Sequence, residues 1–347
     1  MHRRLQSSKG FLTMTLSASA EVNSKSSIPR LSSVAVVVPS YNHAPFVERC
    51  LLSIIKQTYA PQQLIVIDDG SSDCSPKIIE QMLKNCPFHS ELIVRQNKGL
   101  CATLNEALAR SRSKYFTYLA SDDVWLPKFL QARVELLESQ PEAVLAYGHA
   151  YIIDEDDRVI ECSLDWRSYT KGSSRKRLLQ AIGPLSPTVL YRRSALERHG
   201  WNEKVKLEDY ELYLRLGADG TFAFGSEVLA AWRRHWYNAS RDHTMMMNEW
   251  LDAQHRVVAH LDISLGELKK VQTTLKFRCA EDFARRGQKS EALALMCYNM
   301  RGATSVASIA RMAVRLIVPQ RVMQWRKDFL QHQANRHYGS LQTYFEE

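Results

Sequence analysis

At 347 residues, 45% hydrophobic and 24% charged, the chain carries enough apolar surface for one or two folded domains, and wholesale disorder is excluded. Its net charge of +9 resides at the ends: Lys and Arg exceed Asp and Glu by four before residue 31 and by five after residue 243, and they balance in between. That distribution excludes a central nucleic-acid platform and points the ends towards a membrane surface or an acidic partner.

Residues 1–31 are expected to form a disordered leader. The basic start and Ala18-Ser19-Ala20 resemble a secretory signal, but the apolar middle, FLTMTL, is short and broken by threonines. Met14 is a second candidate start. From residue 32 the pattern becomes regular. VAVVVPS (34–40) reads as a buried strand, and Phe46, Cys50, Leu51, Ile54 and Ile55 recur at helical spacing between Pro45 and Gln57. LIVIDDGSSD (64–73) predicts a second strand ending in a turn, 75–85 a helix, ELIVR (91–95) a third strand, 100–111 a helix, and YFTYLASDD a fourth strand. Strands alternating with helices over short polar links mean βαβ units and a mainly parallel sheet.

Beyond Pro127 a helix to about Glu138, a strand over 143–154, loop plus helix over 167–180, and a strand over 186–193 are expected. A short glycine-stopped helix, an amphipathic helix over 208–220 and a returning strand over TFAFGSEVLAAWRRH complete that series. After about residue 244 only helical patterns remain. In 305–330, Ile309, Met312, Ala313, Leu316 and Ile317 share one broad arc, with Arg311 and Arg315 on the other side. Such a basic helix suits either an anionic membrane surface or docking on the protein body. No run of about 18 apolar residues occurs, so no transmembrane helix is expected. The seven cysteines form no CxxC pair, which favours reduced thiols in the cytoplasm and argues against a zinc ribbon or a disulfide framework.

Four strand-end features carry the chemistry: PSYNHAPFV after the first strand, VIDDGSSD after the second, SDD after the fourth, and LEDYELYLRL later. Each alone is a weak signal. Their order, and their position where open α/β sheets bind ligands, are specific. Together they resemble the inverting family 2 glycosyltransferases of the GT-A fold, a Rossmann-like, mainly parallel sheet flanked by helices. The resemblance covers about residues 33–243. It implies a GT-A domain over 32–243 with a basic C-terminal helical extension over 244–347.

The resemblance also implies roles. Pro39 opens the first turn, Tyr41 supplies a face for base stacking, and Asp69 accepts a pyrimidine imide N–H, with Asp68 anchoring the loop. Asn97 and Lys98, in RQNKGLCATLNEAL, touch the nucleotide. Two adjacent carboxylates at a strand end need a positive partner, and Mn²⁺ or Mg²⁺ bound with a diphosphate supplies one. By resemblance Asp123 ligates that cation and Asp122 meets the donor's ribose or sugar. Asp209 is expected to be the general base for the acceptor hydroxyl, with Glu208 orienting or capping. In WRRHWYNAS, His235 completes the metal shell and Arg233 or Arg234 neutralises the pyrophosphate. Trp201 is placed either at the acceptor side or in the core.

The expected activity is therefore metal-dependent transfer of a sugar from a UDP- or dTDP-sugar to a saccharide or lipid-linked saccharide hydroxyl. The expected setting is surface-polysaccharide assembly in the cytoplasm, with peripheral membrane contact through the basic tail. A P-loop NTPase is excluded because no GxxxxGK[ST] occurs, and a nucleotidyltransferase lacks its glycine-rich loop after the first strand. A non-catalytic sugar-nucleotide-binding or scaffold protein would be expected to lose the metal aspartate or the base, and both Asp123 and Asp209 are present.

Overall fold

The computed structural model describes residues 32–166, 169, 175–236 and 238–342. The leader expected over 1–31 lies outside the described residues, as does part of the loop expected over 167–180.

The first half alternates strand and helix: β1 (Val34–Ser40), α1 (Val47–Ile55), β2 (Gln63–Asp68), α2 (Ser75–Leu83), β3 (Ser90–Val94), α3 (Leu100–Arg110) and β4 (Tyr115–Tyr118). Then follow β5 (Val124–Trp125), α4 (Phe129–Ser139), β6 (Ala143–Ile153), β7 (Val159–Cys162), α5 (Arg175–Leu179), β8 (Leu190–Arg192), α6 (Arg193–His199), α7 (Glu208–Asp219) and β9 (Thr221–Arg233). The chain ends in α8 (His243–Val257), α9 (Leu265–Arg285), α10 (Lys289–Tyr298), α11 (Val306–Ile317) and α12 (Gln320–Tyr338).

The strands form one sheet in the order β3-β2-β1-β4-β8-β6-β9-β5, with β7 beside β6. β3, β2, β1 and β4 are parallel, as the βαβ pattern requires. Beyond β4 the sheet is mixed, because β8 pairs antiparallel with both β4 and β6, and β5 pairs antiparallel with β9. β1 is buried on both faces. Ala35 and Val37 join the core beneath α3, α6 and α7, whereas Val34, Val36 and Val38 join the core beneath α1 and α4. That double burial is why its sequence is an unbroken apolar run. Pro39 is accommodated inside β1 because β4 pairs only as far as Val37, so no partner on that side needs its missing N–H.

Packing is continuous across residue 243, and the compact unit that begins at Ser32 takes in the C-terminal helices. α9 starts with a reciprocal Ser264–Glu267 cap and builds its own core from Leu275, Phe277, Ala280 and Phe283, with Ala292 and Met312. The apolar arc of α11 is split by this docking. Met312 is buried and Ile309 and Leu316 pack beside it, but Ala313 and Ile317 face outward. α12 buries none of its residues, yet just beyond it Leu341 returns to a small core with Val124, Ile153, Val159 and Ala231. Among the described residues no helix is long and apolar enough to cross a membrane.

Candidate active site

The loops after β1 and β2 are latched together. Asn42 adopts φ 54°, its backbone N–H donates to Ser71 Oγ at 2.8 Å, and its side-chain oxygen accepts from the Ser72 N–H at 2.8 Å. Ala44 donates to Asp73 Oδ2 at 2.9 Å, and His43 to Ser75 Oγ at 3.1 Å, both through backbone N–H groups. Asp68 accepts from the Ser71 N–H at 2.8 Å and the Ser71 hydroxyl at 2.7 Å, the contacts of a loop anchor. Gly70, at φ 83°, must be glycine, since a Cβ there would meet Asn97 N at 3.0 Å and Arg95 O at 3.1 Å. Asp69 accepts N–H bonds from Lys98 at 2.9 Å and Gly99 at 2.8 Å and pairs with Arg95. Tyr41 stands 49% exposed beside these loops.

The acidic turn lies between β4 and β5, where Asp123 N–H donates to Ala120 O at 2.9 Å. Its two carboxylates part company. Asp123 Oδ1 accepts the backbone N–H of Arg233 at 2.8 Å. Asp122 Oδ2 lies 2.9 Å from His235 Nε2, and Asp122 Oδ1 lies 3.9 Å from His43 Nδ1. His43 Nδ1 is also 2.8 Å from Ser121 Oγ. The two imidazoles meet edge to face with centroids 5.5 Å apart, and Phe46 stacks on His235 at 5.1 Å. Asn238 fixes the far side, accepting the His235 backbone N–H at 2.6 Å and reaching Asp122 Oδ2 at 3.4 Å.

Burial pushes the Asp123 carboxyl well up, and the neighbouring Asp122 charge adds to the rise. Burial acts upward on Asp122 too, but the His235 hydrogen bond and the charges of His43 and His235 outweigh it and hold Asp122 below its usual range. Burial lowers His43 against the opposing pull of Asp122. One ligand atom each from His43, Asp122 and His235 lie within 4.8 Å of one another. Two imidazole nitrogens and a carboxylate oxygen are a donor set that suits a divalent cation.

Glu208 and Asp209 open α7, where the exposed N–H groups of a helix start favour carboxylates. Tyr118 OH donates to Glu208 Oε1 at 3.0 Å, tying α7 to the end of β4. Burial raises the Asp209 carboxyl well above its usual value, and the Glu208 charge raises it further. Burial also raises Glu208, with Asp122 contributing, so α7 and the acidic turn share one electrostatic environment.

The predicted residues thus separate by placement. Asp122, His235, Asp123, Glu208 and Asp209 gather around the end of β4, and Tyr41, Asp69, Asn97 and Lys98 surround the ends of β1, β2 and β3. The two arginines after β9 differ sharply. Arg233 is buried, its Nη2 2.5 Å from Asp157 Oδ1 and its Nε donating to Asp122 O at 2.7 Å, so it braces the turn from inside. Arg234 pairs with Glu161 at 2.5 Å and lies over the Trp232 ring. Trp201 packs in the core against Phe116, Tyr118 and Tyr191. His43 was not singled out from the sequence, although it stands in the strand-end segment PSYNHAPFV, two residues after Tyr41.

Residues 35–200 match the family model described as glycosyl transferase family 2. An uncharacterized glycosyltransferase of Nostoc sp. is 28% identical over 56% of this chain and 60% of its own length. The chondroitin synthase of Escherichia coli is 26% identical over 56% of this chain and 28% of its own length. The chain therefore spans less than two thirds of the length of either relative. Among solved structures, a mannosyltransferase from Pyrobaculum calidifontis in complex with GDP-Man and Mn²⁺ superposes with a TM-score of 0.59 at 17% identity, covering 89% of this chain and 87% of that one. That likeness shows the fold: a GT-A-type mixed, curled sheet flanked by helices, with a helical C-terminal region. With strand-end carboxylates and a cation-type donor set on that fold, the domain at residues 35–200 belongs to glycosyl transferase family 2.

Proposed function

We propose that the protein is a metal-dependent inverting glycosyltransferase that moves a sugar from a UDP- or dTDP-sugar to a saccharide or lipid-linked saccharide hydroxyl during surface-polysaccharide or lipopolysaccharide assembly. The observation that carries this reading is the cluster of His235 and His43 about Asp122, just after β4, with Tyr118 at the end of β4 holding Glu208 at the start of α7. A divalent cation bound there supplies positive charge to the departing diphosphate.

The chain's own residues do the rest. Asp209 takes the proton from the acceptor hydroxyl as its oxygen bonds to the anomeric carbon and the bond to the diphosphate breaks, a single displacement that inverts that carbon. Glu208, held by Tyr118, keeps Asp209 proton-avid and orients the start of α7. In this reading the carboxylate that would hold the cation is Asp122 rather than the expected Asp123, whose Oδ1 accepts the Arg233 N–H. Tyr41 offers an exposed face to the base. Asp69 organises the loop of Asn97 and Lys98 by accepting the Lys98 and Gly99 N–H groups, and in this reading that loop meets the pyrimidine. Arg234 is the surface cation nearest in sequence to His235 that serves the diphosphate, exchanging Glu161 for it.

The C-terminal helices support contact with the anionic inner face of a membrane. Val306, Val314, Ile317, Trp325 and Phe329 stand exposed, interleaved with Arg311, Arg321, Arg326 and Lys327. Co-sedimentation with anionic vesicles that is lost on Ile317→Asp and in neutral vesicles supports this, and equal sedimentation of both proteins removes it.

A donor screen tests the transferase reading. UDP-, dTDP- and GDP-sugars are incubated with acceptor oligosaccharides and Mn²⁺ or Mg²⁺, and nucleoside diphosphate release is followed. Release from a pyrimidine donor, dependent on added cation and abolished by Asp209→Asn, is expected. Absence of transfer from every donor would defeat the reading.

A further inference from the structure

We propose that His43 is a third protein ligand of the cation, and that the chain therefore loads Mn²⁺ in preference to Mg²⁺ before any nucleotide sugar arrives. The use of that cation in sugar transfer rests on the function proposed above; its binding does not. The geometry starts from one carboxylate offered to two imidazoles. Asp122 Oδ2 is 2.9 Å from His235 Nε2, and Asp122 Oδ1 is 3.9 Å from His43 Nδ1. Both rings are held in place. Phe46 stacks on His235 and meets His43 edge-on at 6.3 Å. Ser121 Oγ, at 2.8 Å, keeps His43 Nδ1 turned towards the acidic turn. The backbone of His43 is pinned by Ser75, and its neighbours Asn42 and Ala44 are pinned by Ser71 and Asp73.

Access is one-sided. His235 and Asp122 are buried, whereas the His43 side chain keeps 23% of its exposure, so a cation enters past His43. Donor chemistry then sets preference. Mg²⁺ favours oxygen ligands and retained waters, and it usually relies on substrate phosphates to complete its shell. Imidazole nitrogens favour later divalent ions of the first transition row, and Mn²⁺ is the member closest to Mg²⁺ in its use of oxygen ligands. A His–Asp–His set already supplies three protein ligands, so it does not depend on a diphosphate to hold the ion. The sequence separation explains why this set is not legible in one dimension: His43 lies in the β1–α1 loop, Asp122 between β4 and β5, and His235 beyond β9.

The test is a Mn²⁺ titration of the full chain without nucleotide, read by electron paramagnetic resonance, with pulsed measurement of nitrogen modulation on the bound ion. Expected are nucleotide-free binding, nitrogen modulation from two imidazoles, and displacement by Mg²⁺ only at large excess. His43→Ala should leave modulation from one imidazole and weaken Mn²⁺ binding by about tenfold or more. His43→Asn, which keeps a polar side chain, should show the same nitrogen loss if the fold is intact by circular dichroism. Unchanged nitrogen modulation in both variants, or Mn²⁺ binding that appears only with added UDP, would overturn the assignment. Sugar transfer without imidazole modulation would sink His43 and leave the transferase reading standing. Imidazole-bound Mn²⁺ with no transfer from any donor would support this site and sink that reading.

Discussion

Arg233→Met removes the buried cation that joins the acidic turn to the β6–β7 hairpin. Arg233 is 1% exposed, and its guanidinium donates to Asp122 O at 2.7 Å, Asp154 O at 2.8 Å and Asp157 Oδ1 at 2.5 Å. Methionine fills much of the volume but leaves two carbonyls without this donor and a buried carboxylate with one cation fewer. Breaking a buried pair from one side costs about 3–5 kcal/mol. Here Arg49 Nη1 remains 2.8 Å from Asp157 Oδ2, so the lower end, about 3 kcal/mol, applies. At about 2.1 cal/mol/K of unfolding entropy per residue, a unit beginning at Ser32 shifts by about 1.5 °C for each kcal/mol. Calorimetry should therefore show Tm falling by about 4–6 °C. Adding Asp157→Asn should cost less than the sum of the two single changes, because the stranded carboxylate is then gone. A Tm within about 1 °C of the parent, or strict additivity, would refute the bracing role.

Asp209→Asn should lower kcat by about 10²–10⁴-fold while leaving donor affinity nearly unchanged, as measured by steady-state kinetics and donor binding. Because burial and then the Glu208 charge raise Asp209, the base is lost as pH falls through that raised value. The acid limb of kcat/KM should accordingly lie above the ordinary carboxylate range, and Glu208→Gln should move it to lower pH. His149 is lowered by burial and by Arg133, so the folded protein resists protonating it and stability rises with pH up to its unfolded value of 6.5. Urea unfolding between pH 5 and 7 should show that slope, and His149→Gln should reduce it, leaving the share of His43 and His243, which burial also lowers. Gly148→Ala places a Cβ 2.4 Å from Arg133 Nη2 and 2.6 Å from the Gly225 carbonyl oxygen. The arginine tip can yield but the backbone cannot, so a loss of about 1–3 kcal/mol in urea unfolding is expected.

Much of the fold was legible because its causes are local. The apolar runs of β1, β2 and β4, the helix-spaced residues of α1 and the glycine stop after α6 each follow from the chain's nearest neighbours. So does the strand-end position of Asp69, Asp122 and Asp123. The mixed half of the sheet was not legible, since the two residues of β5 carry no period and pair with β9 across about a hundred positions. The sequence alone also could not divide adjacent arginines or adjacent aspartates.

The sequence by itself determined a βαβ framework, a ring of strand-end carboxylates and a family likeness, since all three are written in short-range pattern and order. Tertiary structure decided which groups meet. It buried Arg233 against Asp157 while its neighbour Arg234 took Glu161, and it turned Asp122 towards His235 and His43 while Asp123 accepted a backbone N–H. It also docked α11 by Met312 and left Ile317 in solvent. In each case the deciding contact spans a long stretch of chain, and only the closed sheet and its packed helices bring such groups within bonding distance.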